Sequence, residues 1–295
     1  MKIDYIDNNV IVSKLKDFDL FQTMDCGQCF NYEVIDTQTI AIVANKRLVI
    51  AKQPKVGELI LLDMTKEEFE NYFVRYFDLN RDYEKIKKEL LKNDKLLKSA
   101  IDSMSGVRIL NQDFVETLIS FIISQNNQIS HIKTIVRGIS RKYGEYVGSV
   151  GEKEFYAFPD IEQLSKATDE ELRELKAGFR APYILDAINK CMQGVIAKKE
   201  LQSMPTKECI NKLMEIKGVG TKVANCVALF SLEKRDTFPV DVWIKRIMED
   251  MYFKEDTKKE IIEEFAKKQY GEYVGYAQQY LFFYGRENNI GKKKK

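Results

Sequence analysis

The chain has 295 residues, enough for two domains of ordinary size, and its 44% hydrophobic and 31% charged residues are typical of a folded, soluble protein. Its 47 basic and 45 acidic residues leave a net charge of +2, so overall charge neither indicates nor excludes a polyanionic partner. No apolar run approaches the roughly 18 residues that cross a bilayer, and the N-terminal MKIDYIDNNVIV lacks the apolar stretch of a signal peptide, so we expect an intracellular protein with no membrane partner.

The first third of the chain predicts antiparallel strands. Residues 29–35, 39–44 and 47–52 are rich in β-branched and aromatic side chains, and only Asn45-Lys46 separates the last two runs, which indicates a tight hairpin. The run from Thr65 to Glu68 matches a capping box, and aromatic residues follow it at helical spacing. We assign residues 1–106 to a small N-terminal antiparallel α+β domain.

From about residue 101 onward the pattern is helical throughout. An amphipathic helix over 82–97 leads into this region, helices follow over 114–124 and 130–143, and the helix that begins after Thr168 is expected to stop at Gly178. The run 292–295 is expected to be a disordered, solvated tail. The expected fold class is therefore α+β, a small antiparallel β-sheet domain with helices followed by an α-helical domain over 107–295.

The histidine and cysteine contents exclude several kinds of catalytic site. His131 is the single histidine, which rules out zinc hydrolases that need several imidazoles and any serine–histidine triad built without it. Cys26 and Cys29 form a lone CxxC pair, and no second pair completes a four-cysteine zinc site or an iron–sulfur cluster. We therefore expect reduced cysteines that bind no metal.

Residues 206–232 predict a helix-hairpin-helix motif, with helices over 206–216 and 221–232 around the turn KGVG. Gly218 and Gly220 would relieve the Cβ clash of a tight turn, with Met214 and Ile216 facing inward. The turn leaves backbone N–H groups at the start of the second helix unpaired, which suits a nucleic-acid phosphate. An ordinary turn between two helices also needs glycine, so the turn alone leaves both interpretations open.

Lys222 and Asp241 are the candidate catalytic pair. Lys222 falls in the first turn of the second helix, where the positive end of the helix macrodipole disfavours the protonated amine and favours its nucleophilic form. Asp241 follows Pro239 at a predicted N-cap, and a plain cap is the more ordinary explanation of such an aspartate. Together an amine and a carboxylate are suited to displacing a base from a sugar, because the amine captures C1′ and the carboxylate stabilises positive charge on the sugar ring.

Several segments, spread in order over nearly the whole chain, carry a resemblance to a known family. They are GQCF (27–30), ISQNN (123–127), GFRAPY (178–183), LMEIKGVGTKVANC (213–226), PVDV (239–242) and YAQQYLF (276–282). The pattern resembles the helix-hairpin-helix, Gly/Pro-Asp superfamily of DNA glycosylases, and within it the 8-oxoguanine DNA glycosylases. The resemblance implies a bifunctional DNA N-glycosylase and AP lyase of base-excision repair, which acts as a monomer on double-stranded DNA containing 8-oxoguanine. With no signal peptide expected, we place it in the cytoplasm or nucleoid. Lys222 matches the Schiff-base lysine, and Asp241 matches the catalytic carboxylate.

The resemblance also implies a pocket for the everted base. Gly27 matches a glycine whose carbonyl accepts a hydrogen bond from N7–H, a proton that 8-oxoguanine has and guanine lacks. Gln278 matches the residue that reads the Watson–Crick edge, and Phe282 and Cys226 match the two walls that sandwich the base. Read without the resemblance, Gly27 is a turn glycine, Phe282 a core residue and Gln278 a solvent-facing amide.

Further matches concern the duplex from which the base is removed. Asn126 matches the asparagine that fills the vacated position, and Phe179 and Arg180 fall in the segment that wedges the strand and meets the opposite base. His131 stands where the eukaryotic enzyme has an arginine that recognises the opposing cytosine. Because an imidazole forms fewer hydrogen bonds than a guanidinium fork, we expect weaker discrimination of the opposite base.

The expected phosphate contacts are local. Lys133, Arg137 and Arg141 recur every four residues and form a basic stripe along one helix face. Lys245, Arg246 and the hairpin amides at Gly218 and Gly220 are expected to add to this patch. A charged stripe is also what any solvated helix face presents, so both readings of it stay open.

The family resemblance implies no required cofactor and no iron–sulfur cluster, with a structural monovalent or calcium-type ion on the backbone carbonyls of Met214, Ile216 and Val219. Two alternatives to an 8-oxoguanine enzyme stay open. One is a glycosylase for a different damaged base, and the other is a non-enzymatic duplex-binding module that uses the hairpin only for phosphate.

Overall fold

The structure is a computed structural model that describes residues 1–288 and 290. It confirms the expected fold class, an N-terminal antiparallel sheet followed by a mostly helical remainder. The run 292–295, expected to be a solvated tail, lies outside the described residues. Among the residues that are described, no helix is long and apolar enough to span a bilayer.

Strands occur in two groups. They are β1 (Lys2–Ile6), β2 (Asn9–Ser13), β3 (Tyr32–Val34), β4 (Thr39–Ala44), β5 (Arg47–Lys52), β6 (Leu59–Leu61), β7 (Tyr146–Val150) and β8 (Lys153–Tyr156). The first six form one antiparallel sheet in the order β1-β2-β6-β5-β4-β3. The predicted hairpin is confirmed: Ala44 lies opposite Arg47, and Asn45 and Lys46 have φ of 54° and 55°, as a two-residue turn of type I′ requires.

Helices make up most of the rest of the chain. They are α1 (Leu20–Met24), α2 (Lys66–Glu68), α3 (Val74–Tyr76), α4 (Tyr83–Asn93), α5 (Lys98–Ser103), α6 (Phe114–Ile123), α7 (Ile129–Tyr143), α8 (Ile161–Leu164), α9 (Asp169–Glu174), α10 (Ala181–Met192), α11 (Lys198–Ser203), α12 (Thr206–Leu213), α13 (Thr221–Ser231), α14 (Val242–Met248), α15 (Lys259–Tyr270) and α16 (Val274–Glu287). A π-helical segment, Phe69–Phe73, joins α2 to α3.

The prediction that everything after residue 101 is helical is wrong. The ribbon β7–β8 interrupts the helices and covers the outer face of the sheet, where Phe155 packs with Ala41 and Val43. Strands β1, β2 and β6 were also not predicted. The ribbon packs against side chains that lie more than a hundred residues earlier in the chain. Local sequence patterns carry no information about such a distant contact.

The predicted starts of the helices agree with the structure better than the predicted ends do. The capping boxes at Thr65 and Thr168 are both present. However, α9 ends at Glu174, before the expected stop at Gly178, because Lys176 already adopts a left-handed φ of 69°. Gly178 has a positive φ of its own and begins a short 3₁₀ turn ahead of α10.

Besides the small cluster under the β7–β8 ribbon, the described residues form two large hydrophobic cores. One lies under the large sheet, and the other fills the space between the helices. Cys26 and Phe30 come from the N-terminal segment but pack into the helical core, together with Tyr83 and Ile86 of α4. The loop between α1 and β3 therefore faces the helices, and this brings Gly27 to the cavity described next.

Candidate active site

The hairpin between α12 and α13 contains one glycine that packing requires and one that it does not. Gly218 has a φ of 76°, and a Cβ there would lie 2.3 Å from the ring of Tyr183. Gly220 has an ordinary φ of −98°, and a Cβ there would meet nothing within 4 Å, so the expectation of a clash is wrong at this position. Met214, expected to face inward, is 38% exposed, whereas Ile216 is buried.

Open space around Gly220 exposes the N-terminal end of α13. Gly220 is the N-cap and supplies no side chain to the first-turn N–H groups. These groups and the positive end of the helix dipole therefore face outward, as an anion site requires.

Lys222 lies in this first turn, and its amine points towards α6. Lys222 Nζ donates to Ser124 Oγ at 2.9 Å and lies 5.2 Å from the centroid of the Phe121 ring. Lys222 and Asp241, the candidate catalytic pair, form no ion pair of 4.0 Å or less in the described chain. The two side chains nevertheless line the same cavity.

Asp241 is the N-cap of α14, and its side chain accepts a hydrogen bond from the backbone N–H of Ile244 at 2.8 Å. The plain capping role therefore exists. Because a carboxylate has two oxygens and the cap uses Oδ1, the cap leaves Oδ2 for a second task. Asp241 is half-buried and lines the same cavity as Lys222.

The cavity holding both side chains has a volume of about 420 Å³. It lies between α6, α7, α13, α16 and the loop before β3, and its aromatic walls are Phe30, Phe121, Phe230, Trp243 and Phe282. This size falls within the range usual for small-ligand sites. The aromatic lining suits a flat heterocycle, which gains from stacking and from leaving water.

All four residues predicted for the base pocket line this cavity. Gly27 has a φ of 80°, and a Cβ there would lie 3.0 Å from the Phe282 ring, so glycine lets the backbone approach that ring. Burial raises the pKa of the Cys226 thiol to about 11, which keeps it neutral at physiological pH.

The side-chain oxygen of Gln278 is buried and has no hydrogen-bond partner. A buried acceptor without a partner is costly unless a ligand supplies the donor.

The loop after α6 places Asn126 on the surface with a left-handed φ of 48°. Phe179, the predicted wedge, is 49% exposed. Arg180 differs from the prediction: it is only 6% exposed and donates to the carbonyl oxygens of Gln125 (2.8 Å) and Asn126 (3.0 Å). Because a buried guanidinium must satisfy its donors, Arg180 here fixes the Asn126 loop and does not face outward towards a base.

His131, the residue expected to face the opposite base, is half-buried, with its Nδ1 2.9 Å from Asn127 Oδ1.

The basic stripe on α7 is largely neutralised within the protein. Each of its three cations forms an ion pair with a carboxylate, and these pairs are Lys133–Asp25 (3.9 Å), Arg137–Glu33 and Arg141–Glu154 (2.8 Å). The partners come from the loop before β3, from β3 and from β8. The stripe therefore joins α7 to its neighbours, and a phosphate contact would have to compete with these carboxylates.

Lys245 is also paired, with Glu249 and, at 2.6 Å, with Asp256. These carboxylates raise the pKa of Lys245, which stays charged. A phosphate contact from Lys245 would have to replace them. Arg246 lies over the ring of Trp243, at 5.9 Å from its centroid, on the same helix.

The described residues contain no group of three or more histidine, cysteine, aspartate or glutamate side chains that could hold a metal ion. A hairpin ion would have to use backbone carbonyls, and that of Ile216 already accepts from the N–H of Val219 at 3.0 Å. The cysteines are free thiols, with Cys26 and Cys29 both buried.

The sequence did not predict the contact of Ser124 with Lys222 or the aromatic walls Phe121 and Phe230. Ser124 lies in the segment ISQNN, but nothing in the sequence links it to a lysine 98 positions later. The contact between Asn127 and His131 was not predicted either, because Asn127 precedes the N-cap of α7 and its position depends on the loop.

Comparison with known proteins gives consistent matches. Residues 10–118 match the family model of the 8-oxoguanine DNA glycosylase N-terminal domain, and residues 119–270 match that of the HhH-GPD superfamily base excision DNA repair proteins. N-glycosylase/DNA lyase OGG1 of Arabidopsis thaliana is 34% identical over 241 residues, which are 78% of this chain and 62% of that protein.

Two solved structures resemble the whole chain. The structure of MBOgg1 in complex with a low affinity DNA ligand is 41% identical, with a TM-score of 0.94 over 98% of this chain and 99% of that one. The 8-oxoguanine glycosylase/lyase of Clostridium acetobutylicum, in complex with double-stranded DNA containing cytosine opposite 8-oxoG, is 39% identical, with the same TM-score and the same coverage.

Proposed function

The chain belongs to the HhH-GPD superfamily of base excision DNA repair proteins, as an 8-oxoguanine DNA glycosylase, and from this membership we propose that it excises 8-oxoguanine from duplex DNA and then nicks the strand. One observation carries the proposal. One aromatic-walled cavity is lined by Lys222, Asp241 and Gln278, and the side-chain oxygen of Gln278 is buried without a hydrogen-bond partner. These supply a nucleophile, an electrostatic partner and a reader for an everted base.

The chemistry follows from the amine and the carboxylate. The nitrogen lone pair of Lys222 forms a bond to C1′ while the bond from C1′ to the base breaks, and the base leaves with that electron pair and takes up a proton. The carboxylate of Asp241 stabilises the positive charge that develops on the sugar ring. The nitrogen then loses one proton, the C1′–O4′ bond breaks as O4′ takes up a proton, and the product is a protonated imine. Removal of a C2′ proton forms the C2′–C3′ double bond and expels the 3′ phosphate with the electrons of its C3′–O bond.

Recognition of the base is assigned to the neutral groups of the cavity. The oxygen of Gln278 accepts hydrogen bonds from N–H donors on the Watson–Crick edge of a purine, while Phe282 and Cys226 form the two walls. The carbonyl of Gly27 accepts from N7–H of 8-oxoguanine. Eversion costs a few kcal/mol, which stacking in the cavity and insertion of Asn126 into the vacated position offset.

The duplex is held by the exposed amides at the start of α13, beside Gly218 and Gly220. A structural monovalent or calcium-type ion at the hairpin would bind the carbonyl oxygens of Met214, Ile216 and Val219. Phe179 is proposed as the wedge, since stacking between bases needs an exposed ring. His131 is proposed to meet the opposite base, whereas Arg180 holds the carbonyl oxygens of Gln125 and Asn126 and so fixes the loop that carries Asn126.

Borohydride trapping tests the proposal directly. We expect a covalent adduct with a duplex containing 8-oxoguanine, and neither adduct nor base release with Lys222→Gln, whose side chain is polar but not nucleophilic. An undamaged duplex is the substrate control. Trapping on a different damaged base but not on 8-oxoguanine would favour the alternative glycosylase. Binding without trapping on any of them would favour a non-enzymatic duplex-binding module.

A further inference from the structure

Ser124 lies at the C-terminal end of α6 and contacts the proposed nucleophile. Its hydroxyl lies 2.9 Å from Lys222 Nζ and 2.8 Å from the carbonyl oxygen of Phe121. We propose that Ser124 is a positioning residue that holds the amine of Lys222 with its lone pair towards the cavity. This inference rests on the proposed function, because it concerns the same amine.

The directions of these two hydrogen bonds carry the argument. A serine hydroxyl has one proton, and that of Ser124 is donated to the Phe121 carbonyl. The hydroxyl can therefore only accept from Lys222, so it engages an N–H of the amine and leaves the nitrogen lone pair free. A residue that donated to the amine would instead occupy the lone pair needed for attack on C1′.

The partner of the amine is also uncharged, so the contact is a single hydrogen bond and not an ion pair. Within the described residues Asp241 forms no ion pair of 4.0 Å or less with Lys222, and one of its oxygens accepts from the N–H of Ile244. The position of the amine in the cavity wall is therefore set by a hydroxyl and not by the carboxylate.

Packing fixes the distance between the two residues. Phe121 of α6 stacks on Phe230 of α13, with ring centroids 5.4 Å apart and planes inclined by 14°. Ser124 follows Phe121 by one helical turn, and Lys222 lies on the same helix as Phe230. The stacked rings therefore hold the hydroxyl and the amine in register without any contact to DNA.

The test compares Ser124→Ala with Ser124→Thr and with Ser203→Ala in the full chain. Ser203 is a matched control, because its hydroxyl donates to the carbonyl three residues earlier at 2.8 Å, at the end of α11, on an exposed segment. The readouts are the single-turnover rate of 8-oxoguanine release and the Kd for a duplex containing a tetrahydrofuran abasic analogue. We expect Ser124→Ala to lower the rate about tenfold, which is about 1.4 kcal/mol of activation free energy, with Kd and melting temperature unchanged.

Ser124→Thr keeps the hydroxyl and is expected to restore most of the rate, and Ser203→Ala is expected to match the wild type. A rate for Ser124→Ala equal to that of the wild type overturns the inference. A loss that appears equally in Kd and in melting temperature also overturns it, since this would be the behaviour of a merely structural residue. If the wild-type chain releases no 8-oxoguanine at all, the proposed function fails, and that outcome is distinct from both.

Discussion

Replacing Gly218 by alanine should destabilise the hairpin far more than the same change at Gly220. The φ of 76° at Gly218 belongs to the left-handed region, which costs an L-residue about 1–2 kcal/mol. The new Cβ would also lie 2.3 to 2.6 Å from three atoms of the Tyr183 ring, and overpacking of this kind costs about 1–3 kcal/mol. The expected loss in the free energy of unfolding is therefore about 2–5 kcal/mol, a large share of the stability of an ordinary domain.

Gly220→Ala is the matched comparison. Its φ of −98° is open to any residue, and its Cβ would have no neighbour within 4 Å. Alanine is a poorer N-cap than glycine but also restricts the unfolded chain, and these effects are of similar size, so the net change should stay within about 1 kcal/mol. Urea unfolding of both variants, compared at an unchanged m-value, gives the two costs.

A double-mutant cycle with Tyr183→Ala separates the two causes at Gly218. In the background without the ring, Gly218→Ala should keep only its backbone cost of about 1–2 kcal/mol. Equal costs in both backgrounds would show that the Tyr183 ring is not what excludes a side chain. A cost at Gly218 no greater than that at Gly220 would refute the whole argument.

Three other changes test separate parts of the molecule. Asp241→Asn keeps an oxygen for the α14 cap but removes the charge, so we expect urea stability within about 0.5 kcal/mol of wild type and single-turnover excision slower by about 100-fold or more. Burial, reinforced by Asp113, raises the pKa of Glu116 to about 8, so the folded protein keeps a proton that the unfolded chain has lost. Stability should therefore fall as pH rises from about 4.5 to 8 in urea titrations, and this fall should be smaller in Glu116→Gln. His131→Arg should sharpen selectivity for cytosine when 8-oxoguanine is paired with each of the four bases, and a wild-type preference for cytosine of about 100-fold would contradict the weak discrimination expected of an imidazole.

The features that sequence predicted well are those whose signals lie within a few residues of each other. The β4–β5 hairpin is specified by two turn residues that tolerate positive φ between strand-forming runs. The capping boxes at Thr65 and Thr168 pair a hydroxyl with a carboxylate three positions later. Each element can form from its own residues, so its sequence is sufficient evidence for it.

The features that sequence missed depend on distant partners. The ribbon β7–β8 packs Phe155 on a sheet formed a hundred residues earlier, and its own residues gave no clear strand pattern. The stripe on α7 has the spacing of a DNA-binding face, but Arg137 is paired with Glu33, 104 positions away. Whether a cation is available to a phosphate depends on the nearest carboxylate, and the fold decides which carboxylate that is.

The candidate site depends both on a local motif, which the sequence shows, and on contacts with distant residues, which it does not. The motif predicted that Lys222 and Asp241 meet, and both line one cavity, because the N-terminal ends of α13 and α14 face it. It could not predict which group the amine binds, since a lysine side chain reaches partners over a wide arc and the choice depends on what is packed beside it. Here the stacked rings of α6 and α13 place a hydroxyl nearer than the carboxylate. The fold thus gives the proposed nucleophile an uncharged partner in place of Asp241, while both side chains line the cavity proposed to receive the everted nucleotide.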